Sequence, residues 1–529
     1  MSATATQPSH EEAGYSRDSR RWFVLGAVVI GTFMSIVDST VVNIALPKII
    51  SVFSTDVHGA QWVLTGYLLA LAVVIPLTGF VDETIGGKRA YIVSLILFTS
   101  ASALCGIAWS LNVMILFRVL QGLGGGLIQP LGMSLLLREF RPEERGTALG
   151  FFGIPLMLGP AVGPILGGYL VQYVDWRFIF YINLPVGILA VIACSRFLRE
   201  DTLHPGRKLD AWGVGLVGFG SAALLYGIDN GPADGWTSTW VVAEILVGIV
   251  ALIAFVFVEL RSDQPLLELR LFKIPNFSTA VFVTLIVQVG LFGAMFLLPI
   301  FLENIEGLGA METGLLWLPQ SLVVAMVMPL SGRIFDRYGP TVVLVPGITL
   351  LVIATWLFSH LTTATSTLTI IEILLVRGTG MGLAMMPATT AAMNAVPRNL
   401  IPRATALTSA VQRIAGSFGT AIMATELSSR QTFQFASIAE TVTPFDPGVH
   451  LAVSRVGEML QTHGMSAVAA HQLGILMLYQ RVEILASVRA FDDTFLFAAV
   501  LCIPAIAAAF LVRNTKTAGG GRRAMLGAE

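Results

Sequence analysis

The chain has 529 residues, of which 55% are hydrophobic and 12% charged, and its formal net charge is -1 at pH 7. Soluble globular chains carry about 25% charged residues, so half that load excludes an ordinary cytosolic enzyme, a disordered scaffold and a nucleic-acid-binding protein. The near-zero net charge gives no pull toward an anionic partner, and a mean hydropathy of +0.77 marks an integral membrane protein.

A helix that crosses a bilayer needs about 20 mostly apolar residues. Residues 1–21 are polar and lack the pattern of a secretory leader. Fourteen runs beyond them meet the requirement: 22–45, 60–81, 90–109, 113–137, 145–172, 178–198, 210–229, 240–260, 276–302, 311–334, 340–360, 367–395, 403–428 and 490–512. The alternation that marks a membrane barrel strand is absent, and helices are the other way to satisfy backbone groups in lipid. The predicted class is all-α with fourteen transmembrane helices.

Lysine and arginine placement orients them. With the N-terminus inside, 23 of the 32 basic residues fall in inner segments, 6 in outer segments and 3 (Arg118, Arg377 and Arg413) within spans. Basic residues accumulate on the cytoplasmic side, so both termini are expected in the cytoplasm. Two connections stand out. The polar inner loop 199–210 ends at Asp210, placed to cap the seventh span. Residues 430–489 form the one long outer connection, of amphipathic helical character, offered for contact with protein or lipid on that side. Its His450, His463 and His471 are spaced 13 and 8 residues apart, too far along a helix to share a metal ion. Cys105, Cys194 and Cys502 lie in apolar runs, with neither disulfide nor metal spacing.

The chain repeats itself. Gly79, three residues ending in Asp82, then Glu83, two residues and Gly86 at the inner end of span 2 match Gly332, Asp336 and Gly339 at the inner end of span 10, at an offset of 253. Gly122, Gly124 and Gly126 match Gly378, Gly380 and Gly382 at an offset of 256; Arg118 and Arg377 precede them, Pro130 and Pro387 follow. Two halves are therefore predicted, 22–198 and 276–512, the second including 430–489. An insertion with spans 7 and 8 at 199–275 separates them, and tails lie at 1–21 and 513–529. Repeats of this kind build transporters whose substrate site lies near the midplane between halves.

The motif Asp38-Ser-Thr-Val-Val-Asn43-Ile-Ala-Leu-Pro47 in span 1 resembles the first-helix motif of the fourteen-helix drug:proton antiporters of the major facilitator superfamily (the EmrB/QacA type). Gly79 to Arg89 resembles that superfamily's loop 2–3 motif, Arg118 to Pro130 its fourth-helix motif, and Gly153 to Gly168 its fifth-helix antiporter motif. The resemblance covers essentially the whole chain. It implies a fold of six, two and six helices, export rather than uptake, a bacterial inner (plasma) membrane location, and proton handling by Asp38 and Arg118.

Asp38 lies about sixteen residues, roughly 24 Å, into its span. A carboxylate there costs about 2.5–3.5 kcal/mol on insertion scales, so it is a candidate to bind and release a proton; a structural hydrogen bond to a neighbouring helix is the alternative. Arg118 must find a partner across the bundle, a carboxylate or a carbonyl. Glu303, near the outer end of span 9, is a candidate second proton group, and Glu426 a weaker one. At the inner gate, Gly79, Asp82, Glu83, Gly86, Arg89 and Asp336 are the residues of interest. Glu83 stands where the family has Asp, and Gly87 where it commonly has Arg, which puts the carried-over gating role in question. Gly159, Gly163 and Gly167 share one helix face that admits a close neighbour, while Pro155, Pro160 and Pro164 remove donors. Asn43, Trp62, Tyr67, Gln121, Phe152 and Met386, with Trp317 and Phe418, are candidates to line an apolar substrate cavity.

No nucleotide-binding loop is present, so the proton gradient is the expected driving force, with no cofactor, no nucleotide and no nucleic acid involved. The sequence thus predicts a non-enzymatic exporter of small amphipathic or cationic molecules in exchange for protons, with the lipid bilayer as its surroundings. A dedicated exporter of an endogenous metabolite or lipid, and a nontransporting sensor on the same fold, remain open alternatives.

Overall fold

The computed structural model describes residues 19–200, 210–262, 264–441, 447–463 and 465–513. These residues form helices and connecting turns. In chain order they are α1 (Arg20–Phe53), α2 (Val57–Val74), which passes through a tight turn into α3 (Thr78–Ile85), α4 (Gly87–Gly106), α5 (Leu111–Glu139), α6 (Arg145–Tyr173), the short α7 (Phe178–Tyr181) leading into α8 (Asn183–Phe197), α9 (Ala211–Asp234) and α10 (Thr239–Arg261). Then come α11 (Pro275–Asn304), α12 (Ala310–Tyr338), α13 (Thr341–Phe358), α14 (Thr367–Asn394), α15 (Ile401–Thr441), α16 (Pro447–Thr462) and α17 (Ala467–Leu511).

Thirteen stretches are long and apolar enough to cross a membrane. The expected span 403–428 falls in α15, which Thr405, Thr408, Gln412, Arg413, Ser417 and Thr420 make too polar for that criterion. It nevertheless packs against α11 and α17, and completes the fourteen.

The long connection differs from the sequence-based boundaries. α15 continues past 428 to Thr441, and α17 begins at Ala467 rather than near 490. Its 45 residues extend for about 68 Å, more than twice a hydrocarbon core of about 30 Å. Apolarity marks where a helix can meet lipid, not where the helix stops. α16 lies on the projecting part of α17, where Gly474 approaches the Val453 carbonyl to 3.1 Å from where a Cβ would stand. At 199–210, Asp210 caps α9 by accepting the Gly213 N–H at 2.9 Å; 201–209 and the tails 1–18 and 514–529 lie outside the described residues.

The repeat is visible in the packing. Gly86 and Gly339 both adopt positive φ (90° and 93°) and break the chain between helices at matching places, a conformation that disfavours residues with a Cβ. On α5, Gly122 and Gly126 lie against α2 at Tyr67 and Leu71, and Gly124 against α4 at Phe98. On α14, Gly378 and Gly382 lie against α12 at Gln320 and Val327, and Gly380 against α13 at Gly347. One glycine ladder, used twice, seats each helix between two neighbours. α6 and α12 form the main contact between the halves, while α9 and α10 pair together and α9 reaches both α2 and α15.

Candidate functional site

The antiporter-motif face of α6 sets the position of α1. A Cβ at Gly159 would strike Ile36, one at Gly163 would strike the Thr40 hydroxyl, and one at Gly167 would lie 3.2 Å from the Val41 carbonyl. Pro160 and Pro164 sit on the same helix, which stays continuous from Arg145 to Tyr173. With Ile36 and Thr40 turned to α6, the side chain of Asp38 turns toward α5 and α8.

There it is sealed: Asp38 is 1% exposed and Arg118 0%. Arg118 Nη1 donates to Asp38 Oδ2 at 2.7 Å. Gln121 Nε2 donates to Oδ1 at 2.9 Å, and Asn183 Nδ2 to the same oxygen at 2.7 Å. All three partners are donors, as a carboxylate requires. Arg118 also donates from Nη1 to Gln121 Oε1 at 2.7 Å and from Nε to the Val63 carbonyl at 3.1 Å. Its guanidinium lies 4.2 Å from the centre of the Tyr67 ring, a cation–π distance, and Nη2 has no hydrogen-bond partner. Asn183 further donates to Ser102 Oγ at 2.9 Å, which donates to the Phe180 carbonyl at 2.9 Å. Five helices, α1, α2, α4, α5 and α8, thus meet on one ion pair.

Of the sequence-predicted residues, the structure brings together Asp38, Arg118, Gln121 and Tyr67. Glu303 is exposed near the end of α11 and shares no contact with this network. Asn43 is exposed, and Trp62, 36% exposed, stacks on Tyr226 of α9 at 5.7 Å. Phe152 is buried beside Gly132, and Met386 is buried against Gly153. Asn183 and Ser102 escaped the sequence reading. An amide in the apolar stretch 178–197 was the available signal.

A second buried arginine, Arg377, is 1% exposed, well inside the bundle rather than near an interface with water. Nη2 donates to the Leu291 carbonyl at 3.2 Å and Nη1 to Gln320 Oε1 at 3.4 Å, and the Trp317 ring centre lies 5.7 Å away.

The arginine-rich end is closed by bonds between the halves. Asp336 Oδ1 accepts the Gly146 N–H at 2.9 Å, and Oδ2 accepts the Thr147 N–H and hydroxyl, each at 2.8 Å. This carboxylate of the second half sits on the N-terminus of α6, where the helix dipole favours it. Gly332 fits against Gly146 with no room for a Cβ. Arg403 of α15 donates to both oxygens of Glu83 at 2.8 and 3.1 Å, and to Glu268 at 3.3 Å. A Cβ on Gly79 would lie 3.3 Å from the Arg403 Cα. Asp82 is held from within the first half, by Arg138 at 2.7 and 2.9 Å and by the Ser134 hydroxyl at 2.9 Å. Arg89 meets Glu200 at 3.4 Å on the surface.

Comparison with known proteins gives the family and the fold. The family model described as Major Facilitator Superfamily matches residues 28–420. A Bacillus subtilis relative, "Uncharacterized MFS-type transporter YhcA", is 34% identical over 495 residues, 93% of either chain. A Mycobacterium tuberculosis relative, "Multidrug resistance protein B homolog", is 34% identical over 414 residues, 78% of this chain and 76% of its own. Among solved structures, the proton:xylose symporter XylE aligns with a TM-score of 0.58 at 12% identity, covering 94% of this chain and 97% of its own; that likeness concerns the fold.

Proposed function

Since the chain belongs to the major facilitator superfamily, we propose that it is a proton-coupled exporter of small amphipathic molecules, cationic ones included, working by alternating access between its halves. Members of this superfamily move solutes and transform none. The arginine-rich end is then the cytoplasmic one, in the plasma membrane of a bacterium, with both termini inside. The observation that carries the reading is the Asp38–Arg118 pair, sealed within a span at 2.7 Å. A relative named for multidrug resistance supports the substrate class.

The chemistry follows from the geometry. A proton arriving from outside on Asp38 cancels the charge that holds Arg118, Gln121 and Asn183. Arg118, which also bonds the Val63 carbonyl of α2, must then shift, and the helices it ties shift with it. Proton loss to the cytoplasm restores the pair. The locks at Asp336 and between Glu83 and Arg403 hold the cytoplasmic end shut in the outward-facing state and part in the other. One proton crossing 100 mV releases about 2.3 kcal/mol, enough for roughly a 50-fold gradient of a neutral solute.

The test uses purified protein in liposomes with a trapped pH dye, challenged with lipophilic cations and neutral amphiphiles. Substrate-evoked proton flux, lost in Asp38→Asn, is the expected result. Flux that survives the substitution would move coupling elsewhere, with Glu303 next to be changed. Silence from the native protein across the panel would favour a dedicated exporter of a metabolite or lipid.

A further inference from the structure

Arg377 is a buried cation whose partners are all neutral. Both of its hydrogen bonds, 3.2 Å to the Leu291 carbonyl and 3.4 Å to Gln320 Oε1, lie at or beyond the long end of the usual range. No carboxylate stands within 4.0 Å of it among the described residues. Gln320 Nε2 has only the Met381 sulfur, at 3.6 Å. Gln288, one turn before Leu291 on α11, is buried with an unpartnered Oε1. A charge within a span ordinarily finds a counter-charge. Among the described residues this cluster holds one full positive charge and no anion.

Its place suggests what brings the anion. Trp317, whose ring lies beside the guanidinium, shares an apolar cluster with Ala161 of α6. One turn earlier on α12, Gly314 approaches Pro164 of α6 to 3.3 Å from where a Cβ would stand. The arginine is therefore close behind the seam between the halves, where such transporters hold their substrates. Leu298, Phe301, Leu316 and Phe491 of the same cluster are apolar, a surrounding for a hydrocarbon tail and not for a hydrated ion. Guanidinium and carboxylate match as a two-pronged pair.

We propose that Arg377, Gln320 and Trp317 form a binding site for the carboxylate of an amphipathic acid, with Arg377 the group that recognises the acid. The proposal rests on the transport reading only in that the ligand binds between the halves. Equilibrium binding needs neither a gradient nor Asp38, so either reading can fail without the other.

The test takes the full chain in lipid nanodiscs and chloride-free buffer. It follows tryptophan quenching by 2-bromooctanoate and by its neutral counterpart 2-bromooctanamide, whose bromine lies next to the polar group. The expected result is saturable quenching with the acid favoured about tenfold over the amide, the scale of one charge-assisted contact. Trp317→Phe should remove the saturable component, and Arg377→Gln the preference for the acid. Gln320→Glu supplies an internal carboxylate beside Arg377, so it should also abolish the preference while keeping the fold, even if Arg377→Gln does not fold. Equal binding of acid and amide, or a preference that persists in Gln320→Glu, would overturn the proposal. Displacement of the acid by excess chloride would assign the site to a small inorganic anion and overturn it equally.

Discussion

Among the described residues, Arg118 and Arg377 are the two fully buried guanidiniums, one in each half, and they are held in opposite ways. Arg118 has a carboxylate at 2.7 Å; Arg377 has a carbonyl, an amide oxygen and a ring face. The glycine ladders around them are the same, so the difference does not come from the backbone. At the ladder's offset of 256, Arg377 stands in the place of Gln121, and Leu374 in that of Arg118. At the loop's offset of 253, Leu291 stands in the place of Asp38, and offers Arg377 a neutral backbone carbonyl where Arg118 has a carboxylate. The comparison teaches that the packing of helices was kept in duplicate while the charges were not.

The strongest way to break the comparison is to make the first half resemble the second. Asp38→Asn leaves Arg118 buried beside neutral partners it was not built around. Removing one member of a buried pair costs about 3–5 kcal/mol, so the midpoint of thermal unfolding in detergent should fall well below that of the native chain. Asp38→Asn combined with Arg118→Gln removes both charges and should recover most of that loss. A double variant no more stable than Asp38→Asn alone would show that the network's hydrogen bonds, rather than its charge balance, hold the five helices together.

The gate residues differ between the halves in the same spirit. Asp336 crosses to the other half, capping α6 by accepting three hydrogen bonds, while Asp82, its neighbour in the repeat, accepts from Arg138 and Ser134 of its own half. Hydrogen bonds to a charged group contribute about 1.5–3 kcal/mol each. Asp336→Asn should therefore loosen the arginine-rich end, and thiol labelling of a cysteine placed at Asn394, which bonds Arg145 at 3.2 Å, should rise by about tenfold or more. Asp82→Asn should lower stability with a smaller rise in labelling. Equal rises for the two would mean that crossing the seam is not what makes Asp336 a lock.

How much of this was legible in the sequence depends on the price of each residue in a membrane. Asp38 and Arg118 stand out because a charge in a span is costly, and the glycines because their spacing repeats. Asn183 and Ser102 do not, since neutral polar side chains are common in helices, and only the packing of α8 against α1 and α4 reveals that they complete the ion pair. The aromatic candidates were the least legible. Trp62 turns to the inserted helix α9 and Phe152 to the interior of its own half, because an apolar ring fits a helix contact as well as a cavity. The ends of α15 and α17 were hidden for a different reason: hydropathy falls where the helices leave the lipid, while their backbone hydrogen bonding continues.

Glu83 offers the finest test of the comparison. Its departure from the family's Asp puts the gating role in question on sequence grounds, yet the longer side chain takes Arg403 of the opposite half with both oxygens. Arg403 is at the same time held by Glu268, from the connection that follows the two inserted helices, so the guanidinium keeps one partner whatever happens at position 83. Glu83→Asp restores the family's residue but shortens the reach by one carbon. Side chains here are partly exposed, 15% for Glu83 and 19% for Arg403, and ion pairs with access to water contribute about 1 kcal/mol or less. The labelling rise should therefore be about fivefold at most, smaller than for Asp336→Asn, and should vanish at high salt, which screens exposed charges. A rise as large as that of Asp336→Asn, insensitive to salt, would make Glu83 the principal lock and reverse the ranking of the two halves at this end of the molecule.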